Sequence, residues 1–288
     1  MKNTDSAAYY HVCTDGNALE WMFKDTIDFI AGMNRIAICS LDTGVIVVAF
    51  VLMDNHVHLV LHGTMPQCKQ FISKYKLLTG KWIRKRHGLE GHLRGLPSSL
   101  ILIENEEQLL DTIAYIDRNP VIAGYHLLPG EYPWGSAQGM FTDGCSKSTA
   151  AISEMNKKEI HQMLNTWAEI PLDWRIDSNG MLALDNIWNK KLAENHFRSP
   201  LKYLYHLSKK LEGKIEMHQG TKSFIPDKEL RPLTEKMSEE LFGTADLKSL
   251  DFNNRIYIAR KLRYNYASTP KQISRILHLD CEILSKFI

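Results

Sequence analysis

Residues 44–63 read "GVIVVAFVLMDNHVHLVLHG", two apolar runs of strand-forming residues parted by Asp54-Asn55. An Asp-Asn pair between two such runs signals a hairpin, because these residues accept turn conformations that β-branched residues resist. Inside the second run stand His56 and His58. Residues two apart on a strand share a face, so these imidazoles project together while Val57 and Leu59 pack on the other side. Two imidazoles on one face can hold a divalent cation, but two ligands are too few for a tight site. Alone, the pair reads as one satisfied core histidine and one exposed one.

The pattern continues on both sides of the hairpin. "AAYYHVCT" (7–14) is β-rich and reads as a first strand, and "ALEWMFKDTIDFIAGMNRI" (18–36) spaces its apolar residues as an amphipathic helix. After the hairpin come a basic amphipathic helix, "QCKQFISKYKLLTGKWIRKRHG" (67–88), and a short strand, "SSLILIE" (98–104). "NEEQLLDTIAYIDRNP" (105–120) opens on Asn105 and an acidic first turn, as a capped helix does, and stops at a proline. The order β-α-β-β-α-β-α is that of a ferredoxin-like antiparallel sheet with helices on one face, so the expected class is α+β.

After Trp134 the texture changes. "GMFTDGCSKSTA" (139–150) is small and polar and reads as a linker, and the remainder looks mainly helical apart from "SFIPDKELRPL" (223–233). Near the end, "NNRIYIARKLRYNYA", "TPKQISRIL", "HLD" and "CEILSKFI" follow one another. Two short helices across a tight turn, behind a basic helix, fit a helix-turn-helix; a purely structural helical tail has the same look. The expected division is residues 1–140, a helical extension at 141–240, and a helix-turn-helix at 241–288.

The composition, 44% hydrophobic and 24% charged over 288 residues, is that of ordinary globular protein with room for two domains. The longest apolar run, 44–53, is about half of the ~20 residues a membrane span needs. The opening "MKNTDSAAYY" has no signal-peptide core, so a cytoplasmic location is expected. Cys13, Cys39, Cys68, Cys145 and Cys281 are scattered without CxxC spacing, which gives neither a disulfide framework nor a zinc finger. A net charge of +2 names no partner, but residues 63–89 hold no acid and carry Lys69, Lys74, Lys76, Lys81, Arg84, Lys85 and Arg86. Such a one-signed segment attracts a polyanion, or else it is a solvated helix face.

The helix ending "DTIAYIDRNP" changes the reading of the histidines. Tyr115 and Asn119 are four apart, hence neighbours on one helical face. A tyrosine is a poor nucleophile at its reference pKa of ~10, and becomes useful where a metal polarises the electrophile. Asn119 offers an amide oxygen as a further ligand beside it. The plainer alternative is a core tyrosine and an asparagine that closes the helix before Pro120.

"FVLMDNHVHLVLHG" (50–63), "LILIENEEQLLDTIAYIDRNPVIAGY" (100–125), "EYPWGS" (131–136) and the opening "YYHVCTDGN" (9–17) together resemble the single-tyrosine HUH transposases. Within them the likeness is to the REP-associated tyrosine transposases and their IS200-like insertion-sequence relatives. It covers about residues 8 to 138, in the family's motif order. The resemblance implies a ferredoxin-like (RRM-like) catalytic domain that cuts and rejoins single-stranded DNA carrying a hairpin or palindromic repeat, with a homodimer as one assembly. Carried over by motif, His56 and His58 are the HUH ligands, Tyr115 is the nucleophile that forms a 5′-phosphotyrosine, and Asn119 is the third ligand. Mg2+ or Mn2+ suits histidine and amide oxygen beside a phosphate.

Two departures bear on DNA contact. The family has a basic residue where this chain has Asp15, and an aromatic-basic segment where it reads "GHLRGLPSSL" (91–100). Arg94 and His92 are placed to compensate, and the basic helix remains to contact phosphates. The second half, through "IPLDWRIDSNGML" and "FRSPLKYLYHL", resembles longer members with a helical extension. Three functions follow: a metal-dependent DNA strand transferase; a domesticated hairpin-binding protein that cuts little, favoured by the missing basic residues; and a small-molecule metallohydrolase that would have to recruit His11, His62 or His92.

Overall fold

The computed structural model describes residues 6–287 except 17, 20, 94, 124, 126–127, 143–148, 210–226, 267, 269 and 285–286. They form two compact units, Met1–Asn119 with Leu128–Ile215, and Pro120–Leu127 with Glu216–Ile288. The segment that follows the undescribed residues 143–148 builds onto the first unit's sheet, where Asn189 donates its amide to the Val47 carbonyl. Among the described residues no helix is long and apolar enough to cross a membrane. Among the described residues Cys13, Cys39, Cys68 and Cys281 form no disulfide, and Cys145 lies outside them.

The first unit runs β1 (Ala8–Thr14), α1 (Thr26–Thr43), β2 (Ile46–Leu52), β3 (Val57–Gly63), α2 (Met65–His87), β4 (Ser98–Leu102) and α3 (Glu106–Ile122). The strands make one antiparallel sheet in the order β2-β3-β1-β4. α2 begins at a capping box between Thr64 and Gln67 and ends at Gly88 in the left-handed conformation (φ 72°). α1 starts eight residues later than its apolar spacing implies. Asp25 caps it by accepting the Ile27 and Asp28 amides, while Met22 and Phe23 donate theirs to the Asp54 carbonyl. That stretch is fastened to the β2-β3 turn instead of winding into helix. Pro120 does not stop α3; it lies inside the last turn.

Alternation puts Tyr10 and Val12 of β1, with Leu59 and Leu61 of β3, on one face of the sheet. α1 and α2 cover it. A side chain at Gly32 of α1 would stand 2.6 Å from Phe23 and 2.7 Å from Leu52, and one at Gly63 would meet Gln67 and Cys68 of α2. The opposite face carries Tyr9, His11, Cys13 and His58, and α3 lies against it, with Tyr115 edge-on to His58 and His11. Helices thus cover both faces, where one was expected.

The chain after α3 closes what the sheet leaves open. The edge of β2 is capped by "EYPWGS": Leu52 donates to the Trp134 carbonyl (2.8 Å), Phe50 donates to Ser136 Oγ (3.0 Å), and Tyr132 donates its hydroxyl to the Leu52 carbonyl (2.6 Å). A two-stranded sheet, β5 (Thr149–Ala151) with β6 (Arg175–Asp177), then forms where only helices were read. Asn34, buried on α1, holds the turn after it by donating to the Gly180 carbonyl and accepting the Leu182 amide. Beyond α4 (Lys157–Leu164), helices α5 (Lys190–Phe197) and α6 (Pro200–Ser208) complete the unit. α6 is tied to α3 by His206 with Asp111 (2.6 Å), by Lys209 with Asp111 (2.9 Å), and by Tyr203, which donates to Asp117 (2.7 Å).

The second unit is helical: α7 (Asp227–Phe242), α8 (Phe252–Tyr266), α9 (Pro270–Leu277) and α10 (Cys281–Leu284). Its core gathers Leu230, Leu250, Ile258, Leu262, Ile273, Ile276 and Leu284.

Asp117 offers a test of this packing. Burial pushes its pKa up to about 7, against the bonds from Tyr203 and Ser136 that pull it down. The folded chain then holds a proton that the unfolded chain releases near the ordinary 3.8. This contribution to stability is present below the lower value and is lost as pH rises toward the upper one. In Asp117→Asn the loss disappears. The melting temperature of the wild type relative to the variant should therefore decline from about pH 4 to about pH 7 and level off above. A relative stability that climbs over that range would contradict a neutral, buried Asp117.

Candidate active site

The turn between β2 and β3 positions the first histidine. Asn55 donates to the Gly16 carbonyl (2.8 Å) and its amide oxygen stands 2.7 Å from His56 Nδ1. Gly16 is required there, since a Cβ would lie 2.9 Å from the same nitrogen. Val57 donates its amide to Thr14 Oγ1 (3.0 Å), which pins the start of β3 to the end of β1. One residue on, His58 faces Cys13 across the ladder. The two rings meet edge to face, with His56 Nε2 and His58 Nε2 3.1 Å apart.

His11 completes a row. Its Nε2 is 3.2 Å from His58 Nδ1, and the two rings are stacked with centroids 5.4 Å apart. Burial lowers its pKa to about 4. Tyr115 comes from α3 and meets both rings edge-on, with centroids 5.5 Å from His58 and 6.1 Å from His11. Asn119 follows one turn later and donates its amide nitrogen to the Tyr115 carbonyl (3.0 Å). That bond uses the nitrogen and not the oxygen, the atom a cation would take. His11, His56, His58, Tyr115 and Asn119 are all buried.

The structure therefore brings His56, His58 and Tyr115 together. His11 and Asn55 belong beside them; the sequence offered His11 only as a ligand that a metallohydrolase would recruit, and Asn55 only as a turn residue. The signal for His11 was its strand parity: Tyr9, His11 and Cys13 share the face that His58 uses. Parity alone could not show the register that sets Cys13 opposite His58. At the far end of the face a second cluster forms, in which Tyr9 pairs with His196 of α5 (2.8 Å) and packs on His62.

Among the described residues no group of three or more His, Cys, Asp or Glu side chains is arranged to hold a metal ion. His11 adds no ligand, since its Nε2 already faces His58 Nδ1. What the pair offers toward a cation is a spacing. Nitrogens on adjacent octahedral corners, with bonds of about 2.1 Å, stand about 3.0 Å apart, and tetrahedral corners about 3.4 Å. The observed 3.1 Å lies nearer the octahedral spacing.

The basic helix lies elsewhere. α2 covers the sheet face opposite the histidines, and much of its charge is used within the fold. Lys74 pairs with Asp42, Lys76 donates to the Leu96 carbonyl (2.8 Å), and Lys85 donates to Asn165 (3.3 Å). Arg86 holds Asp25 and the buried Asp28, which also takes Trp82 and His87. Lys69, Lys81 and Arg84 are exposed, and Arg94 lies outside the described residues. His92 is committed to the Trp21 carbonyl (2.7 Å), and Asp15 donates its amide to the Pro97 carbonyl.

No protein-family model matches the chain, and no curated protein matches it. Among solved structures, a REP-associated tyrosine transposase bound to a REP hairpin is similar over 60% of this chain and 94% of that chain, with 13% identity and a TM-score of 0.36.

The two sets of cations on α2 should separate on substitution. Arg86→Ala leaves Asp28 buried without its main partner and should lower stability by about 1.5–3 kcal/mol in urea unfolding. Replacing Lys69, Lys81 and Arg84 together by Ala should leave the unfolding free energy within about 0.5 kcal/mol of wild type. Equal losses from the two variants would refute the division.

Proposed function

We propose that the chain is a metal-dependent transposase of the single-tyrosine HUH type, acting on single-stranded DNA through a ferredoxin-like catalytic unit. The observation that carries this reading is the meeting of His56, His58 and Tyr115, from the β2-β3 hairpin and α3, in one buried cluster. It is the composite site that the order of sequence motifs implies. A metallohydrolase reading has less support, because the further ligands it needs do not converge on the pair: His11 turns Nε2 to His58 Nδ1, His62 packs on Tyr9 at the far end of the face, and His92 bonds the Trp21 carbonyl.

Tyr115 Oη attacks a DNA phosphorus and gives up its proton; the P–O3′ bond breaks and the leaving oxygen is protonated to a 3′-hydroxyl. The 5′-phosphotyrosine keeps the energy of the broken bond, so a later 3′-hydroxyl rejoins the strand by reversing the step. Mg2+ or Mn2+ would be held by Nε2 of His56 and of His58 with the Asn119 amide oxygen, and supplies Lewis-acid polarisation of the phosphate. Asn55 and His11 hold the two imidazoles, and α6 clamps the helix that carries the nucleophile.

The alternative, a domesticated hairpin-binding protein with little cleavage, draws on one observation. Lys74, Lys76 and Arg86 are spent on the fold, and Asp15 stands where the family is basic. The second unit supports a further DNA contact. α9 and α10 are joined through His278 in the left-handed conformation (φ 53°) and Asp280, which caps α10 by accepting the Ile283 amide. A helix-turn-helix there would reach the duplex stem of a hairpin.

The test is a covalent adduct. With Mn2+ and single-stranded DNA that contains a hairpin and carries a 3′-end label, wild type should yield a labelled band at protein mass on a denaturing gel. Tyr115→Phe should yield none. An adduct that persists in Tyr115→Phe sinks the nucleophile, and tight binding without any adduct from wild type establishes the domesticated reading. For the second contact, Arg275→Ala on α9 should reduce the salt dependence of hairpin binding by about one charge. An unchanged slope would remove this arginine from the interface.

A further inference from the structure

Each imidazole of the pair is held at its Nδ1 by a neighbour, and the two neighbours differ in kind. Asn55 spends its amide nitrogen on the Gly16 carbonyl, which turns its oxygen toward His56 Nδ1. An amide oxygen only accepts, so His56 carries its proton on Nδ1 and presents a lone pair at Nε2. His58 Nε2 stands 3.1 Å from that lone pair, and His58 Nδ1 stands 3.2 Å from His11 Nε2.

Without a cation the row is satisfied in one sense. His11 donates from Nε2 to His58 Nδ1, and His58 donates from Nε2 to His56 Nε2. For His58 to offer its Nε2 lone pair beside that of His56, its proton must sit on Nδ1 and needs an acceptor there. His11 Nε2 is in place to be that acceptor, once its own proton is on Nδ1. In the change the His58 Nε2 proton leaves to solvent, the His11 Nε2 proton passes to His58 Nδ1, and His11 takes one from solvent at Nδ1. Both rings stay neutral throughout.

Resting on the reading of His56 and His58 as a cation-holding pair, we propose that His11 is a positioning residue that sets the tautomer of His58 in both the empty and the filled site. A carboxylate or carbonyl, the commoner partner of a ligating histidine, only accepts. In the empty site it would leave two lone pairs facing each other at 3.1 Å. An imidazole both donates and accepts, so one side chain serves either sense of the row.

The experiment uses the full chain and two variants. His11→Phe keeps a ring against His58 and Tyr115 but removes both nitrogens; His11→Gln keeps a group that donates or accepts near the Nε2 position. Two readouts apply: Mn2+ affinity by electron paramagnetic resonance, and ring-nitrogen shifts of His58 by NMR before and after diamagnetic Cd2+. In wild type, Cd2+ should move the His58 proton from Nε2 to Nδ1. His11→Phe should weaken Mn2+ binding by about 10–100-fold and lose control of that proton, and His11→Gln should restore both. Wild-type affinity and an unaltered His58 tautomer in a folded His11→Phe protein would overturn the assignment. If the Phe variant does not fold, loss of Mn2+ binding in a folded His11→Gln protein overturns it instead. A wild type that binds no Mn2+, while its His58 tautomer still follows residue 11, supports the role of His11 and overturns the functional reading alone.

Discussion

A strand buried on both faces has no solvent side on which to place a polar group. β3 is such a strand: α1 and α2 lie on one side, α3 on the other, and β1 and β2 flank it. Every hydrogen-bonding atom in its side chains must find a partner within the protein or stay unsatisfied at a cost of about 1–3 kcal/mol. His58 meets that demand with His56 on one nitrogen and His11 on the other, and His56, in the turn just before β3, is held by Asn55. The histidine row is thus a consequence of burial before it is a site. The packing that makes the sheet stable also fixes where imidazole nitrogens converge.

The same constraint explains which parts of the molecule were legible from sequence. The hairpin at 44–63 and the helix from Met65 to His87 announce themselves, because their turn residues, caps and apolar periods are local signals that packing confirms. α1 was misplaced at its start. The apolar residues Met22 and Phe23 continue the helical spacing, but they serve the core through main-chain bonds to a turn some thirty residues away. The short pair β5 and β6 escaped notice because three-residue strands have no period to read. "EYPWGS" was recognised as a motif, and its physical task, covering the exposed edge of β2, needed coordinates.

The site divides in the same way. Two histidines on one strand and a tyrosine on a helix are visible in the letters, but their meeting depends on α3 crossing the face of the sheet away from α1 and α2. His11 was visible too, though its partner depends on β1-β3 register. Charge was the least legible property. The segment from 63 to 89 has no acid of its own, yet Asp25, Asp28 and Asp42 on and before α1 supply several counter-charges from across the helix pair. A one-signed run in sequence became a partly neutralised face in space.

α3 is held from residues far down the chain: Asp111 by His206 and Lys209, Asp117 by Tyr203, and Arg118 by the Lys209 carbonyl. During synthesis the histidine row is complete once β3 has left the ribosome, but the tyrosine helix gains these anchors only about ninety residues after its own emergence. A nascent chain, or one cut short by a frameshift within the extension, carries every recognisable motif and lacks the ties that hold the Tyr115 helix. A chain that ended before residue 203 would therefore keep every motif in the letters and leave Asp117 buried without the hydroxyl of Tyr203, and Asp111 without His206.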